Sequence, residues 1–342
     1  MKRRHINIPI FIPHLGCPND CVFCNQRIIS GVKSFRADEV IPIIEEALAT
    51  VGVDVFREIA FFGGSFTGIE PDLMEELLVI ANRYLKQGRI NSIRCSTRPD
   101  YINEAVISKL VEYGVGTVEL GIQSASDDVL SACKRGHTFD STVRATRMIK
   151  DAGIRLGGQM MIGLPGSTPE DEIATARFIV SSGADEARIY PTIVFRQTEL
   201  CHMAESGDYE PLSVEDAIVR SASAFSILIK GGVKVLRIGL CDSENLHSDE
   251  TYHSGPNHAA MGELVENEYY FNLMCEMLDD FSIEQKNILT VTVSRGHTSK
   301  AVGQLKKNKI RLLQKYGFKD IRFIEDPSIQ EYSVRLKVEE RI

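Results

Sequence analysis

The chain has 342 residues, of which 25% are charged and 43% apolar. This composition is ordinary for globular proteins and excludes a disordered, collagen-like or low-complexity chain, while the length fits two average domains or one large α/β barrel. The net charge of −8 argues against an extended nucleic-acid-binding surface, and without an apolar run of roughly 18 residues or a secretory signal we expect a cytoplasmic protein with no membrane partner.

Apolar, β-branched segments alternate with amphipathic helical segments up to about residue 230. This alternation predicts six βα units and a parallel sheet, open or closed into a barrel. The predicted strands are Ile6–Ile12, Glu58–Phe62, Ser92–Cys95, Thr117–Ile122, Ile154–Ile162 and Ala187–Val194. The predicted helices are Ala37–Ala49, Asp72–Leu85, Asn103–Tyr113, Asp127–Cys133, Phe139–Asp151, Pro169–Ser182 and Val214–Lys230.

The last part of the chain differs from the rest in charge and pattern. Residues 281–342 hold 13 Lys/Arg and 7 Asp/Glu, a net charge of +6, so the remainder carries −14. Strand-like segments and one helical segment, Lys300–Tyr316, predict a small βαββ unit. We therefore expect a core over 1–280, closed by 232–280, and a basic α+β extension over 281–342. Its basic residues either solvate a helix face or contact phosphates.

Three cysteines, Cys17, Cys21 and Cys24, lie in one loop directly after the first strand. Three thiolates at this spacing can face a single metal centre, but a closed zinc site and an ordinary four-cysteine iron–sulfur cluster both need a fourth ligand. We therefore expect an iron–sulfur cluster with one open iron. Zinc with His14 as a fourth ligand, and free thiols, are the alternatives. The other five cysteines are scattered singly and are expected to be ordinary buried thiols.

The Cys-x3-Cys-x2-Cys spacing, with Phe23 before the third cysteine, resembles the signature of the radical S-adenosylmethionine enzymes. This resemblance implies that Cys17, Cys21 and Cys24 hold a [4Fe–4S] cluster whose open iron binds S-adenosylmethionine. It also implies that an electron from the cluster cleaves the sulfonium and that the resulting radical abstracts a substrate hydrogen. The fold that it implies is α/β, a partial (β/α)6 TIM-like barrel with the small α+β appendage.

Further motifs follow in the order of that family, each at a strand end. Gly63, Gly64 and Ser65 resemble the loop that receives the methionine amino group, where missing Cβ atoms let a ligand approach the backbone. Gln123 resembles a strand-end cofactor contact, and Arg135 stands where related enzymes bind the methionine carboxylate. Each of these motifs also has an alternative without a ligand. The glycine loop can be a plain turn, Gln123 can be a glutamine hydrogen-bonded within the protein, and Arg135 can be a surface arginine.

The fifth predicted strand ends in a motif that resembles the segment lying against adenine, with Met161 and Gly163 as candidate cofactor residues. Met161 as core filler is the structural alternative. Ser96 replaces the family's acidic ribose contact and can still hydrogen-bond a hydroxyl group. Tyr190, at the sixth strand, is a candidate catalytic residue on the substrate side.

Short runs around Thr97, Arg135 and Tyr190 together resemble the radical domain of the Elongator catalytic subunit, which modifies tRNA. More loosely, two of the motifs resemble oxygen-independent coproporphyrinogen oxidase. The 342 residues leave no room for the acetyltransferase domain of Elongator, so we carry over the cofactors and a tRNA substrate, bound through the basic extension, but not the acetyl transfer. The implied electron donor is a flavodoxin or ferredoxin. The alternatives are a radical enzyme acting on a small or porphyrin-like molecule and a non-catalytic iron–sulfur or zinc protein.

Residues 241–268 are rich in histidine and glutamate without a tight ligand spacing. We expect a solvated or substrate-facing loop here, and a second metal site is the alternative.

Overall fold

The computed structural model describes residues 5–12, 21–24, 35–52, 54–240, 248–279 and 287–339. The strands within these ranges are β1 (His5–Ile12), β2 (Phe56–Gly63), β3 (Ser92–Thr97), β4 (Val115–Gln123), β5 (Arg155–Ile162), β6 (Glu186–Pro191), β7 (Val194–Phe195), β8 (Lys234–Ile238), β9 (Tyr252–Ser254), β10 (Ile288–Val293), β11 (Asp320–Glu325) and β12 (Val334–Glu339). The α-helices are α1 (Val40–Thr50), α2 (Pro71–Lys86), α3 (Glu104–Glu112), α4 (Asp127–Ala132), α5 (Phe139–Asp151), α6 (Pro169–Ser181), α7 (Glu199–Ser206), α8 (Val214–Lys230), α9 (Met261–Leu278), α10 (Thr298–Val302) and α11 (Lys307–Tyr316). None of these helices is long and apolar enough to cross a membrane.

Strands β1 to β6 and β8 form a 7-stranded parallel sheet in chain order. The predicted α/β partial barrel is therefore confirmed. Strand β8 is an addition to the six predicted strands, because the sequence prediction placed the segment around Arg237 in the closing segment. In the structure this segment pairs in parallel with β6 and forms one edge of the sheet, while β1 forms the other.

The two faces of the sheet follow the alternation of side chains along each strand. Isoleucines of β1 and apolar residues of the other strands point outward and are buried, with the apolar faces of the helices, in one continuous core. Charged and polar side chains point to the inner face instead. The helices therefore cover the outside of the sheet and leave its inner face for the functional groups.

The helices begin where local capping groups favour them. Helix α6 has Pro169 in its first turn, and Thr168 and Asp171 form a capping box: the Asp171 N–H donates to Thr168 Oγ1 at 3.3 Å, and the Thr168 N–H donates to Asp171 Oδ2 at 2.9 Å. Such caps satisfy backbone N–H groups that have no partner within the helix. The start of α6 was accordingly predictable.

The segment after β5 differs from its prediction. The strand predicted over Ala187–Val194 is two elements, because β6 ends at Pro191 and the residues of β7 pair antiparallel with β9 instead. Helix α7 was not predicted. It is only 8 residues long, too short for a clear helical period, and it starts at the cap Thr198, whose hydroxyl accepts from the Cys201 N–H.

The C-terminal part forms the predicted βαββ unit, with a 3-stranded sheet in the order β11-β10-β12. The helix predicted over Lys300–Tyr316 is broken into α10 and α11 by residues in the left-handed region: φ is 79° at Gly303, 53° at Leu305 and 62° at Lys306. Such angles cannot continue a right-handed helix.

This βαββ unit packs against α9. Its buried residues, such as Leu289 and Val291, belong to the same continuous core as the partial barrel. Across the contact, Lys300 pairs with Glu266 at 2.8 Å and the Arg311 guanidinium lies 3.5 Å from the Phe271 ring centroid. Part of the positive charge of this segment therefore neutralises the acidic face of α9.

Candidate functional site

Most of the predicted cofactor residues lie at or just after the carboxyl ends of the strands of the sheet. Ser96 and Tyr190 each stand two residues after an arginine whose guanidinium lies inside the barrel, Arg94 and Arg188 respectively. Because the alternation has period two, both residues face the same interior. Met161 pairs in register with Tyr190 across β5 and β6.

A layer of buried charge lies beneath these residues. The Arg94 side chain is fully buried and pairs with Glu58 at 2.6 Å, Glu119 at 2.5 Å and Glu186 at 2.6 Å. Arg188 pairs with Glu119 at 2.7 Å. Burial favours the neutral form of Glu119, but the hydrogen bonds and charge of Arg188 and the charge of Arg94 hold the pKa of that carboxyl below its ordinary value.

The described part of the cysteine loop is fixed to two helices. Cys21 is buried and Cys24 is half-buried, and the Cys24 N–H donates to Cys21 O at 2.9 Å. Between them, the Val22 N–H donates to Cys133 O at 3.2 Å, and Val22 O accepts from the Leu200 N–H at 2.8 Å. The ends of α4 and α7 therefore hold this loop. Cys17 lies outside the described residues.

Two guanidinium groups lie beside the Cys21 sulfur. Arg135 Nη1 lies 3.3 Å and Arg98 Nη1 lies 3.9 Å from Cys21 Sγ. Arg135 Nη2 also donates to Gly121 O at 2.9 Å, and Arg98 is held by Asp100 at 2.8 Å. Because both arginines are almost fully buried, their positive charges beside the Cys21 sulfur are little screened by solvent.

Arg98 was not predicted as a site residue. The available signal was the position of Asp100 two residues after Arg98, because an arginine and a carboxylate at this spacing can bond each other. Arg98 Nη2 also donates to the backbone oxygen of Arg135. It therefore holds Arg135 as well as the cysteine loop.

The loop after β2 requires glycine at Gly63. Its φ is 115°, and an added Cβ would lie 2.1 Å from Ile12 O. Gly64 follows, half-buried, and the buried Ser65 hydroxyl bonds Thr97 Oγ1 at 2.7 Å and accepts from the Arg98 N–H at 3.2 Å. Ser65 thus ties this loop to the end of β3.

Two buried polar atoms at the rim have no hydrogen-bond partner among the described residues: Ser96 Oγ and Gln123 Oε1. Gln123 also has a positive φ of 63°, an unusual conformation for a residue with a side chain. Leaving a buried acceptor unpaired costs about 1–3 kcal/mol, and strained residues gather at ligand sites. Both features are explained if a polar ligand occupies this rim.

The other predicted cofactor residues differ in their surroundings. Phe23 and Met161 are half-buried and pack against a second apolar cluster that includes Val22 and Cys201. Gly163 has φ of 74°, its N–H donates to Glu172 Oε1 at 2.6 Å and its carbonyl accepts from the Tyr209 hydroxyl at 2.7 Å. Its backbone groups are therefore engaged within the protein.

Cysteines away from the loop are buried thiols wherever the structure describes them: Cys95, Cys133, Cys201 and Cys275. Burial raises the pKa of Cys95 and of Cys133 to about 12. The prediction that these four cysteines are buried is therefore confirmed. Cys241 lies outside the described residues.

An aromatic pair at the open edge of the sheet was missed by the sequence reasoning. Phe11 is 69% exposed, and its ring centroid lies 6.3 Å from that of Phe62 on the paired strand. The Arg188 guanidinium lies 5.7 Å from the Phe62 ring centroid. The available signal was the alternation of side chains in β1, because Phe11 lies between buried isoleucines and so points to the other face of the sheet.

The residues at this rim fit a cysteine-bound cluster and S-adenosylmethionine. Cys21 has positive charge beside it, and Ser96 and Gln123 offer unpartnered polar atoms. Carboxylates pair favourably with guanidinium groups, and hydroxyl and amide groups suit a ribose or an amino group.

Two protein-family models match the chain. The Radical SAM superfamily matches residues 11–179, and the Radical_SAM C-terminal domain matches residues 184–270. Together they cover about three quarters of the chain and include the rim residues described above.

Curated relatives match over parts of their length. tRNA uridine(34) acetyltransferase of Methanocaldococcus jannaschii is 34% identical over 169 residues, 48% of this chain and 31% of that protein. The protein of the same name from Dehalococcoides mccartyi is 33% identical over 239 residues, 60% of this chain and 52% of that protein. Elongator complex protein 3 of Saccharomyces cerevisiae is 27% identical over 214 residues, 56% and 38% of the two chains. The chain spans between about a third and a half of the length of these relatives.

Among solved structures, Methanocaldococcus infernus Elp3 with an N-terminal deletion superposes with a TM-score of 0.63 at 24% identity, covering 81% of this chain and 64% of that chain. Streptococcus suis SuiB bound to S-adenosylmethionine superposes with a TM-score of 0.52 at 12% identity, covering 74% and 54%. These likenesses concern the fold. The family matches show that the chain belongs to the radical S-adenosylmethionine superfamily and is an enzyme whose cofactors are a [4Fe–4S] cluster and S-adenosylmethionine.

Proposed function

We propose that this enzyme cleaves S-adenosylmethionine reductively and abstracts a hydrogen atom from a nucleotide of tRNA. The observation that carries the proposal is the position of Arg135, which lies 3.3 Å from Cys21 Sγ and 2.9 Å from Gly121 O. A cation suited to a carboxylate therefore stands beside a thiol of the cluster motif.

The rim residues have distinct roles in this proposal. Cys17, Cys21 and Cys24 hold the cluster, which when bound supplies the electron that breaks the sulfonium bond. Arg135 orients the methionine carboxylate, and Arg98 positions Arg135 through its backbone oxygen.

Gly63 and Gly64, at and just after the end of β2, offer their backbone groups to the methionine amino group. Ser96 and Gln123 offer their unpartnered atoms to the polar groups of the same molecule. Ser65 and Gly163 support the loops around the site through their internal hydrogen bonds. Phe23 and Met161 supply apolar contact for the adenine.

The substrate side is the remaining part of the inner face of the sheet. Tyr190 is half-buried there, with Arg188 two residues before it and Phe62 within the reach of Arg188. Aromatic faces beside a guanidinium group suit a planar base. Phe11, on the edge strand β1, is exposed and accessible to a large substrate.

The printed names of the relatives, tRNA uridine(34) acetyltransferase and Elongator complex protein 3, support a tRNA substrate. Within the C-terminal extension, Lys309 and Arg311 are already paired with Asp320 and Glu268. Lys306 and Lys307 form no ion pair with any residue that the structure describes. We therefore propose these two lysines as the phosphate contacts.

The electron for the cleavage comes from outside the chain. A small low-potential carrier, a flavodoxin or ferredoxin, is the proposed donor. Reduction by such a carrier and by dithionite should give the same product, since both deliver single electrons to the cluster.

The cleavage is tested with anaerobically reconstituted enzyme, dithionite and S-adenosylmethionine. We expect 5′-deoxyadenosine from the wild type and from the control Cys275→Ser, which alters a buried thiol far from the motif, but none from Cys21→Ser. If the wild type shows [4Fe–4S] absorbance and forms no 5′-deoxyadenosine, the proposal is wrong.

The substrate is tested by comparing the modified nucleosides of tRNA from a deletion strain and its parent, where an unchanged profile would exclude tRNA. For binding, the variant Lys306→Ala/Lys307→Ala should weaken tRNA affinity and reduce the slope of log affinity against log salt by about 2, since each lost phosphate contact removes about 0.9. The control Lys309→Ala/Arg311→Ala removes cations that are already paired. Equal effects in both variants would contradict the assignment.

A further inference from the structure

Three side chains of metal-binding type meet outside the cofactor rim: Cys201 and Glu205 of α7, and His253 of β9. We propose that they bind a zinc ion that joins α7 to β9. The proposal does not depend on the proposed function, because it concerns a different set of residues and a different metal.

The geometry is close to that of a bound metal. Glu205 Oε1 lies 3.8 Å from Cys201 Sγ and 3.8 Å from His253 Nε2, and the three ligand atoms all lie within 4.8 Å of one another. A tetrahedral zinc with bonds of about 2.0–2.3 Å has ligand-to-ligand distances of roughly 3.3–3.8 Å. Small rotations of the side chains therefore bring all three atoms onto one ion.

The backbone and the neighbouring groups place these atoms for that purpose. Cys201 and Glu205 are four residues apart on one helix and so share a face. The His253 ring is oriented by a 2.8 Å hydrogen bond between its Nδ1 and Ser254 Oγ, which leaves Nε2 toward Glu205. Zinc-binding histidines usually have such a bond on the second ring nitrogen.

The chemistry of the donors selects the metal. One thiolate, one imidazole and one carboxylate form the mixed sulfur, nitrogen and oxygen set that zinc accepts, whereas magnesium and calcium prefer oxygen alone. Cys201 is 4% exposed and supplies the sulfur from within an apolar cluster, and the partly exposed Glu205 leaves the fourth position open to water.

The ion would lie behind the cluster-binding loop. The Leu200 N–H, one residue before Cys201, donates to Val22 O at 2.8 Å, and Val22 and Cys201 share the same apolar cluster. Strand β9 is in turn held by β7. A zinc clamp between α7 and β9 would therefore immobilise the helix that supports the loop of Cys21 and Cys24.

The site is tested on the reconstituted enzyme prepared from zinc-supplemented cells. Elemental analysis should give one zinc per chain in addition to the cluster iron. Zinc K-edge X-ray absorption, which does not sense iron, should show a first shell with a single sulfur. Both signals should be lost in Cys201→Ser, Glu205→Gln and His253→Asn.

Two controls separate specific binding from damage. Cys275→Ser removes another buried thiol, and Glu210→Gln neutralises a nearby exposed carboxylate; both should keep the zinc. A shell with more than one sulfur would place the zinc in the Cys17–Cys24 motif instead and overturn the proposal. So would an enzyme without zinc, or full zinc content in all three ligand variants.

Discussion

At the scale of single residues, the rim is organised by charge. Arg135 and Arg98 are buried beside Cys21, and each is fixed by a second partner, Gly121 O or Asp100. A buried guanidinium with two fixed partners has a defined direction, which a flexible lysine does not provide. The function of the rim should therefore depend on the shape of these groups as well as on their charge.

Arg135→Lys tests this dependence. We expect the rate of 5′-deoxyadenosine formation at limiting S-adenosylmethionine to fall about 10- to 100-fold, because a charge-assisted hydrogen bond contributes about 1.5–3 kcal/mol. The control Arg144→Lys changes an exposed arginine that pairs with Asp140 on the surface. An unchanged rate in Arg135→Lys would show that the guanidinium group of Arg135 does not hold the methionine carboxylate of S-adenosylmethionine.

His137 makes the stability of this region depend on pH. Burial, with the charge of Arg135, lowers the pKa of His137 from 6.5 to about 4. The folded protein therefore holds this histidine neutral, and the unfolded chain binds the proton first as the pH falls. Above pH 6.5 we expect His137 to have no effect on the pH dependence of the free energy of unfolding. As the pH falls from 6.5 toward 4, we expect this free energy to decrease.

The measurement is urea unfolding across that pH range. His137→Gln should flatten the decrease, whereas His202→Gln, at an exposed histidine, should leave it as in the wild type. If the two variants show the same pH dependence as the wild type, His137 is not the group responsible.

At the scale of elements, α7 links the cluster-binding loop to the rest of the rim. Its cap is Thr198, whose hydroxyl accepts from the Cys201 N–H at 3.1 Å and donates to Phe195 O at 2.6 Å. The first turn of the helix then presents the Leu200 N–H to Val22. An element of 8 residues thus determines where two of the three motif cysteines stand.

Thr198→Ala should separate this role from general stability. Loss of a helix cap costs about 1 kcal/mol, and Ser213→Ala removes the equivalent cap of α8, which forms no backbone hydrogen bond to the cysteine loop among the described residues. We expect both variants to lose similar stability in urea, but only Thr198→Ala to lose cluster iron faster in air. Equal rates of iron loss would indicate that α7 does not support the loop.

At the scale of the whole molecule, the uneven charge of the sequence is partly internal. Basic residues of the C-terminal unit pair with acidic residues of α9, as in Lys300–Glu266 and Arg311–Glu268. Tyr270 of α9 is fully buried and bonds His297 Nδ1 at 2.6 Å. The C-terminal unit therefore covers a face of α9 that would be apolar and acidic without it.

A chain that ends at Asp279 tests whether the rest of the protein depends on the C-terminal unit for its stability. We expect a lower thermal midpoint and binding of a hydrophobic dye, because the truncation exposes aromatic residues of the common core. The comparison is the full chain under the same conditions. A truncated chain with the thermal midpoint of the full chain would mean that the two parts are independent domains separated near residue 280.

The sequence alone determined the order of elements and the cluster motif, because both depend on local patterns: the period of apolar residues, the caps and the spacing of three cysteines. It also indicated Gly63, Ser96, Gln123 and Arg135 through resemblance. The break in the helix at Leu305 and the short helix α7 were beyond it, since the apolar period does not mark the break and α7, with 8 residues, is too short for a clear helical period.

Only the tertiary structure decided which charges meet. Arg98 lies beside Cys21 across 77 positions, and Arg94 joins three carboxylates from three other strands. Cys201, Glu205 and His253 come together in the same way. Such groups are neighbours because the parallel sheet sets its strands side by side and because β9 pairs antiparallel with β7, just before α7, and no local pattern in the chain records these distances.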